Sequence, residues 1–177
     1  NIVGYIHTIV EGMRELARRK GLLLLFSPEK QSIMMDFIPD HITKIVTNLI
    51  SNAIKFTPEE GHIFVTADIE GDKFKMIVAD NGHGIDINEL PHIFDAFYQG
   101  RNSKLETGSG VGLSLVKQLV ETMSGNIEIR SAEEAGCVIT LSFPLKQGER
   151  EWPALADSAI PHPQFISNET DNGNLED

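Results

Sequence analysis

The sequence contains one cysteine, one tryptophan and two tyrosines in 177 residues. A lone thiol excludes an internal disulfide framework and a zinc site built on paired cysteines, and it fits a reducing compartment. Within "GCVITLSF", Cys137 reads as a small buried side chain. Basic residues are also scarce: 15 Lys and Arg against 26 Asp and Glu leave a formal charge of −11. A phosphate-backbone partner would need a local basic patch, and none accumulates. The nearest stretch, "RELARRK" at 14–20, mixes signs like the solvated end of a helix, so no nucleic-acid partner is expected. Long apolar runs are missing too. "GLLLLF" at 21–26 is far too short to cross a bilayer and adjoins no cleavage-type sequence, so the chain reads as soluble.

What is present is enough apolar content, 41% of residues, for the core of one domain of ordinary size. Helical spacing of Ile2, Ile6, Ile9, Val10, Met13, Leu16 and Ala17 predicts an amphipathic helix over 2–19, stopped by Gly21. "LLLLFS" predicts a short buried strand and "SIMMDFIP" another extended segment. Pro39 and Asp40 open a long helix, with Asp40 as the expected N-cap, and Pro58 and Gly61 stop it. The alternating runs "HIFVTADI" and "KFKMIVAD" predict a hairpin, and "NIEIRS" with "CVITLSFP" a second one. Between the hairpins, "GVGLSLVKQLVETMS" has helical periodicity. The hairpins rule out a purely parallel sheet, so the expected class is α+β, helices layered on a mostly antiparallel sheet. Past Pro144 the periodicity stops; residues 146–177 read as a disordered tail or linker after a domain at 1–145. Trp152, Leu155 and Phe165 in that tail could dock on the domain.

Three motifs bear on chemistry. On the helix "LISNAIKF", Asn48, Asn52 and Lys55 fall within a stripe about 60° wide, to one side of the apolar face. An amide oxygen suits a hard cation and an ammonium suits phosphate, although an exposed polar edge would show the same pattern. The strand "KFKMIVAD" then runs into "NGHGI", placing Asp80 before Gly82 and Gly84. Glycines so spaced allow close approach by a flat ligand, and a carboxylate there can accept from an exocyclic amine; an ordinary turn is the alternative. His83 reads as solvent-facing. Last, "TGSGVGLSLV" alternates Gly108, Gly110 and Gly112 into a helix start, where free backbone N–H groups favour an anion. It matches neither the Walker phosphate loop nor the dinucleotide fingerprint.

In this order, with "FDAFYQG" between the second and third motifs, the chain resembles the catalytic, ATP-binding domain of sensor histidine kinases. These belong to a wider ATPase superfamily shared with DNA gyrase, MutL and heat-shock chaperones. The resemblance covers about residues 1–145, and the phenylalanine box is typical of the kinases. It implies a two-layer α/β sandwich, the Bergerat ATPase fold, with a mixed, mostly antiparallel sheet and helices on one face. It implies ATP and Mg²⁺ as ligands: Asn52 on the metal, Asn48 supporting the phosphates, Lys55 on phosphate and Phe56 near the nucleotide. Asp80 would accept the adenine amino hydrogen in a pocket shaped by Gly82 and Gly84. Gly108, Gly110 and Gly112 would set amides around the phosphates. Ile85, Tyr98, Ser109, Val111, Leu113 and, in the last strand, Thr140 complete the implied set. Tyr98 to Ser109 would be the ATP lid, and Phe94 and Phe97 would anchor it or meet the partner domain, although Phe94 also reads as a core aromatic.

Two departures stand out. Many relatives carry Arg after the tyrosine of the box; here Gln99 stands there, with Arg101 two residues on as a substitute. The family's phosphoacceptor His lies on a dimerisation helix, in a context that His7 in "YIHTIVEG" does not share. The resemblance therefore implies a fragment with no catalytic acceptor of its own, unable to autophosphorylate alone and monomeric. Its partners would be the dimerisation and phosphoacceptor domain of the same kinase and a downstream receiver domain, separate or fused. The parent would be an inner-membrane sensor with this domain in the cytoplasm. Alternatives are another superfamily ATPase, an anti-sigma-factor-type serine kinase, or a degenerate docking module.

Overall fold

The computed structural model describes residues 1–100 and 110–145, which all belong to one compact unit, Asn1–Lys146. Among them the chain order is α1 (Ile2–Arg19), β1 (Leu23–Phe26), α2 (Pro39–Phe56), β2 (His62–Glu70), β3 (Lys73–Asp80), α3 (Gly112–Thr122), β4 (Asn126–Ser131) and β5 (Cys137–Pro144). The expected tail at 146–177 lies outside the described residues.

The strands form one sheet in the order β1-β2-β3-β5-β4, with β1 parallel to β2 and every other pair antiparallel. Alternation along the strands sends Val65, Met76, Val78, Ile139, Leu141 and Phe143 to one face, all buried. The helices cover that face, and α2 is central, contributing Ile42, Ile45, Val46, Leu49, Ile50, Ala53 and Ile54 to the core. Burial of each of the larger aliphatic chains contributes about 1.5–3 kcal/mol, which fixes the orientation of α2 about its axis and hence of its polar edge. This is the mixed, mostly antiparallel α+β sheet that the sequence implies.

Helix ends explain most of the boundaries. Asn1 caps α1, accepting the Gly4 N–H at 3.2 Å, and Gly21 turns the chain beyond α1 with φ +71°. The ammonium of Lys20 donates to the carbonyls of Ile54 and Lys55 at the end of α2. The start of α2 corrects one expectation. Ile38, without a side-chain cap, precedes Pro39 in the first helical turn, and Asp40 sits one residue inside, paired with Lys44 at 2.6 Å. Proline's fixed φ and missing N–H make it a natural first helical residue, so helix formation begins before Asp40. The expected extended segment "SIMMDFIP" joins no strand ladder over 32–38, and its Pro39 already belongs to α2. Ile33 instead accepts the Ile2 N–H at 2.9 Å and buries its side chain, so this segment is tied to α1 and not to the sheet.

Candidate nucleotide site

A cavity of about 380 Å³ opens between α2, the ends of β3 and β5, and the loops leading into α3. Asn48, Asn52, Lys55 and Phe56 line it from α2, and Val78, Asp80, Ile129, Cys137 and Ile139 from the sheet. Gly84, Ile85, Ile93 and Tyr98 wall one side, and Gly110, Gly112 and Leu113 stand where α3 begins.

The polar edge of α2 points at the start of α3. Asn48 donates through Nδ2 to the Lys44 carbonyl at 2.7 Å, which fixes its amide plane. A Cβ on Gly112 would stand 2.8 Å from Asn48 Oδ1 and 3.9 Å from Asn52 Nδ2, so helix and loop are in contact. The α3 N-cap is Val111, which makes no side-chain cap bond to the first-turn N–H groups. Such an end attracts anions. Gly110 enters this turn at φ +68° and accepts the Phe97 N–H at 2.9 Å, while the Phe97 side chain is 76% exposed. Lys55 lies over the Phe56 ring at 4.8 Å.

Asp80 ends the inner-facing row of β3, so alternation that buries Val78 also aims this carboxylate into the cavity. Burial raises its pKa above the usual aspartate value; the N–H groups of Gly82, at 2.9 Å, and of Cys137 oppose that by donating to the carboxylate. Gly82 is required by packing, since a Cβ there would meet the Phe56 carbonyl oxygen at 2.5 Å. Cys137 faces the same space. Its thiol is pushed up to about 12, first by burial and then by the Asp80 charge, with Ser131 opposing.

Of the residues drawn from the sequence, Asn48, Asn52, Lys55, Phe56, Asp80, Gly84, Ile85, Tyr98, Gly110, Gly112 and Leu113 are brought together around one cavity. Gly82 donates its N–H to Asp80 beside it, and Val111 is the N-cap of α3. Arg101, Gly108 and Ser109 lie outside the described residues. Thr140 is a correction: it pairs with Ile77 and Glu128 on the opposite face of the sheet, one residue out of phase with the cavity-lining Ile139. Cys137, Ile129, Ile139 and Ile93 also line the cavity but are not among the residues drawn from the sequence, where Cys137 reads as plain core. The available signal was the alternation Cys137, Ile139, Leu141, Phe143, whose parity matches Asp80 once β3 and β5 pair.

Residues 38–147 match the family model described as histidine kinase-, DNA gyrase B-, and HSP90-like ATPase. The sensor histidine kinase WalK of Bacillus subtilis (strain 168) is 30% identical over 155 residues, covering 85% of this chain and 25% of that protein. The chain thus spans about a quarter of the length of this curated relative. Full-length ShkA in complex with AMPPNP superposes with a TM-score of 0.72 at 28% identity, covering 81% of this chain and 30% of that one. The catalytic domain of histidine kinase ThkA shares the fold, with a TM-score of 0.71 at 23% identity over 82% of this chain and 92% of that one. Motif order, cavity and relatives agree: the chain belongs to the histidine kinase-, DNA gyrase B- and HSP90-like ATPases, as an ATP-binding catalytic domain of the histidine-kinase type.

Proposed function

We propose that this domain binds Mg·ATP in the cavity described above and presents the γ-phosphate to a histidine supplied by a dimerisation domain. One observation carries the reading: the Asp80 carboxylate and the uncapped start of α3 border the same cavity, bridged by the polar edge of α2. Phe56 lies next to the glycine loop after Asp80, its carbonyl accepting the His83 N–H, and Asn48 lies two turns back, about 12 Å of helix rise. That span suits a ligand with an amine-bearing base at one end and phosphates at the other.

The parts follow from their chemistry. Asp80, held by the Gly82 N–H, accepts from the base amine; Ile85, Ile129 and Ile139 offer apolar faces to the ring. Backbone N–H groups at Gly110 to Leu113, with Lys55, receive the phosphates. Asn52 makes no side-chain hydrogen bond among the described residues, and its amide oxygen fits a hard divalent cation completed by phosphate oxygens and water. Bound there, Mg²⁺ neutralises charge on the phosphates. Phosphoryl transfer then needs chiefly positioning and charge stabilisation, so this domain needs no general base.

The exposed Phe97, tied by its backbone to Gly110, fits contact with the partner domain beside the lid. We assign residues 1–145 to this domain and 146–177 to a tail or linker, compatible with a receiver domain beyond. The setting is the cytoplasmic side of an inner-membrane sensor. Among the described residues no helix is long and apolar enough to cross a membrane. His7 is not assigned as acceptor: it is solvent-exposed, pairs with Glu11 at 3.2 Å and stacks on Phe26.

The test is phosphotransfer. With labelled ATP the chain alone should take up no label; placed behind the dimerisation helices of a related kinase, it should label their histidine, and Asn52→Ala should abolish this. Labelling of the chain itself that disappears in His7→Ala would overturn the assignment.

A further inference from the structure

We propose that Ser131 is a positioning residue of the base subsite, holding together the two backbone segments that orient Asp80. The inference rests on the reading of Asp80 as the acceptor for the base amine. It starts from the sheet register: Ser131 lies opposite Cys137 on β5, and Cys137 lies opposite Asp80 on β3, a polar row across the end of an otherwise apolar face.

The Asp80 carboxylate accepts the Gly82 N–H at 2.9 Å, and the Asp80 backbone pairs with Cys137 across the ladder. Gly82 opens the loop that continues through Ile85, and Cys137 follows Gly136 at the end of the turn between β4 and β5. The Ser131 hydroxyl bonds to both segments. Its oxygen accepts the Ile85 N–H at 3.0 Å, and its proton goes to the Gly136 carbonyl at 2.6 Å. A hydroxyl can accept and donate at once; alanine can do neither.

The two segments also meet elsewhere, so the hydroxyl closes a packed joint. Glu134 donates its N–H to the His83 carbonyl at 2.7 Å. Gly84, at φ +70°, leaves room for no Cβ against the Ala132 carbonyl, and Gly136, at φ +79°, leaves none against the Asp80 carbonyl. Ser131 itself is not among the cavity-lining residues, whereas Gly84 and Ile85 are. It acts on the ligand through them and through Asp80.

The experiment compares ADP with purine riboside 5′-diphosphate, which has the same sugar and phosphates but no amine, by calorimetry on the native chain, Ser131→Ala and Ser131→Thr. Ser131→Ala should raise the Kd for ADP about tenfold, the effect of one lost hydrogen-bond anchor, and change that for the analogue less than about twofold. Ser131→Thr, which keeps the hydroxyl, should restore the native preference for ADP. Equal weakening of both ligands, unchanged ADP affinity in Ser131→Ala, or failure of threonine to restore the preference would overturn the proposal. If Ser131→Ala does not fold by circular dichroism, Ser131→Cys, similar in size but a weak hydrogen-bonding group, carries the same expectation. A native chain that does not distinguish the two ligands would overturn the Asp80 reading itself, and Ser131's role with it.

Discussion

Gly112 packs against Asn48 so closely that a methyl group on its α-carbon would stand 2.8 Å from Oδ1 of the asparagine. The Asn48 amide cannot simply swing away, because Nδ2 is bonded to the Lys44 carbonyl at 2.7 Å. Contact between the polar edge of α2 and the start of α3 therefore depends on glycine. Gly112→Ala is expected to weaken Mg·nucleotide binding by at least about tenfold, the cost of roughly one displaced charge-assisted bond, with the helical circular dichroism unchanged. Calorimetry checks the first part and far-ultraviolet spectra the second.

Asp80→Asn tests function against stability. The folded pKa of Asp80 is raised by burial, so its contribution to stability is full below the unfolded pKa and is lost as pH rises through the folded value. At pH 7 the native chain carries the cost of an ionised, partly desolvated carboxylate; the asparagine variant does not. The variant should therefore unfold at higher urea than the native chain at pH 7, with the difference shrinking as the pH is lowered, while its affinity for ADP collapses. A difference that grew on acidification would contradict the assignment.

Cys137 should be a slow thiol. With its pKa pushed up to about 12, alkylation should keep accelerating about tenfold per pH unit beyond pH 9, where a free cysteine of pKa about 8.5 has already levelled off. Saturating ADP should slow it further, since the side chain lines the cavity. Rates followed by mass spectrometry on this single-cysteine chain report one site without ambiguity.

Lys20 ties the end of α1 to the end of α2, its ammonium 2.8 Å from the Ile54 carbonyl and 2.6 Å from that of Lys55. These are carbonyls of a helix C-terminus, where a cation also meets the negative end of the helix dipole. Lys20→Met keeps much of the packing and removes the charge. It should cost about 1–2 kcal/mol, seen as a lower urea midpoint with an unchanged slope.

Much of the fold was legible because its periodicities are strong. The apolar stripes of α1 and α2 and the alternation of β2, β3 and β5 each match a single period. Failure came where local preference met tertiary pairing. "SIMMDFIP" has strand-like composition, but Ile33 bonds to the start of α1, leaving the segment outside the ladder. Asp40 has good capping chemistry, yet Pro39 already starts the helix. At the site, Asn48, Asn52, Lys55 and Asp80 were legible because polar groups at regular spacing interrupt apolar elements. Cys137 was not, because its cavity-facing role depends on the register between β5 and β3, which alternation within one strand does not supply. Thr140 was carried over from the resemblance, and the strand's own alternation places it on the face opposite Ile139.

The most direct measurement is calorimetric titration of ADP and a non-hydrolysable ATP analogue, with and without Mg²⁺, into the native chain, Asp80→Asn and Asn52→Ala. The native chain should bind both nucleotides, Asp80→Asn should lose all nucleotide binding, and Asn52→Ala should lose only the Mg²⁺-dependent increment. A native chain that bound neither nucleotide, or an Asp80→Asn variant that bound both as well as the native chain, would contradict the proposed function.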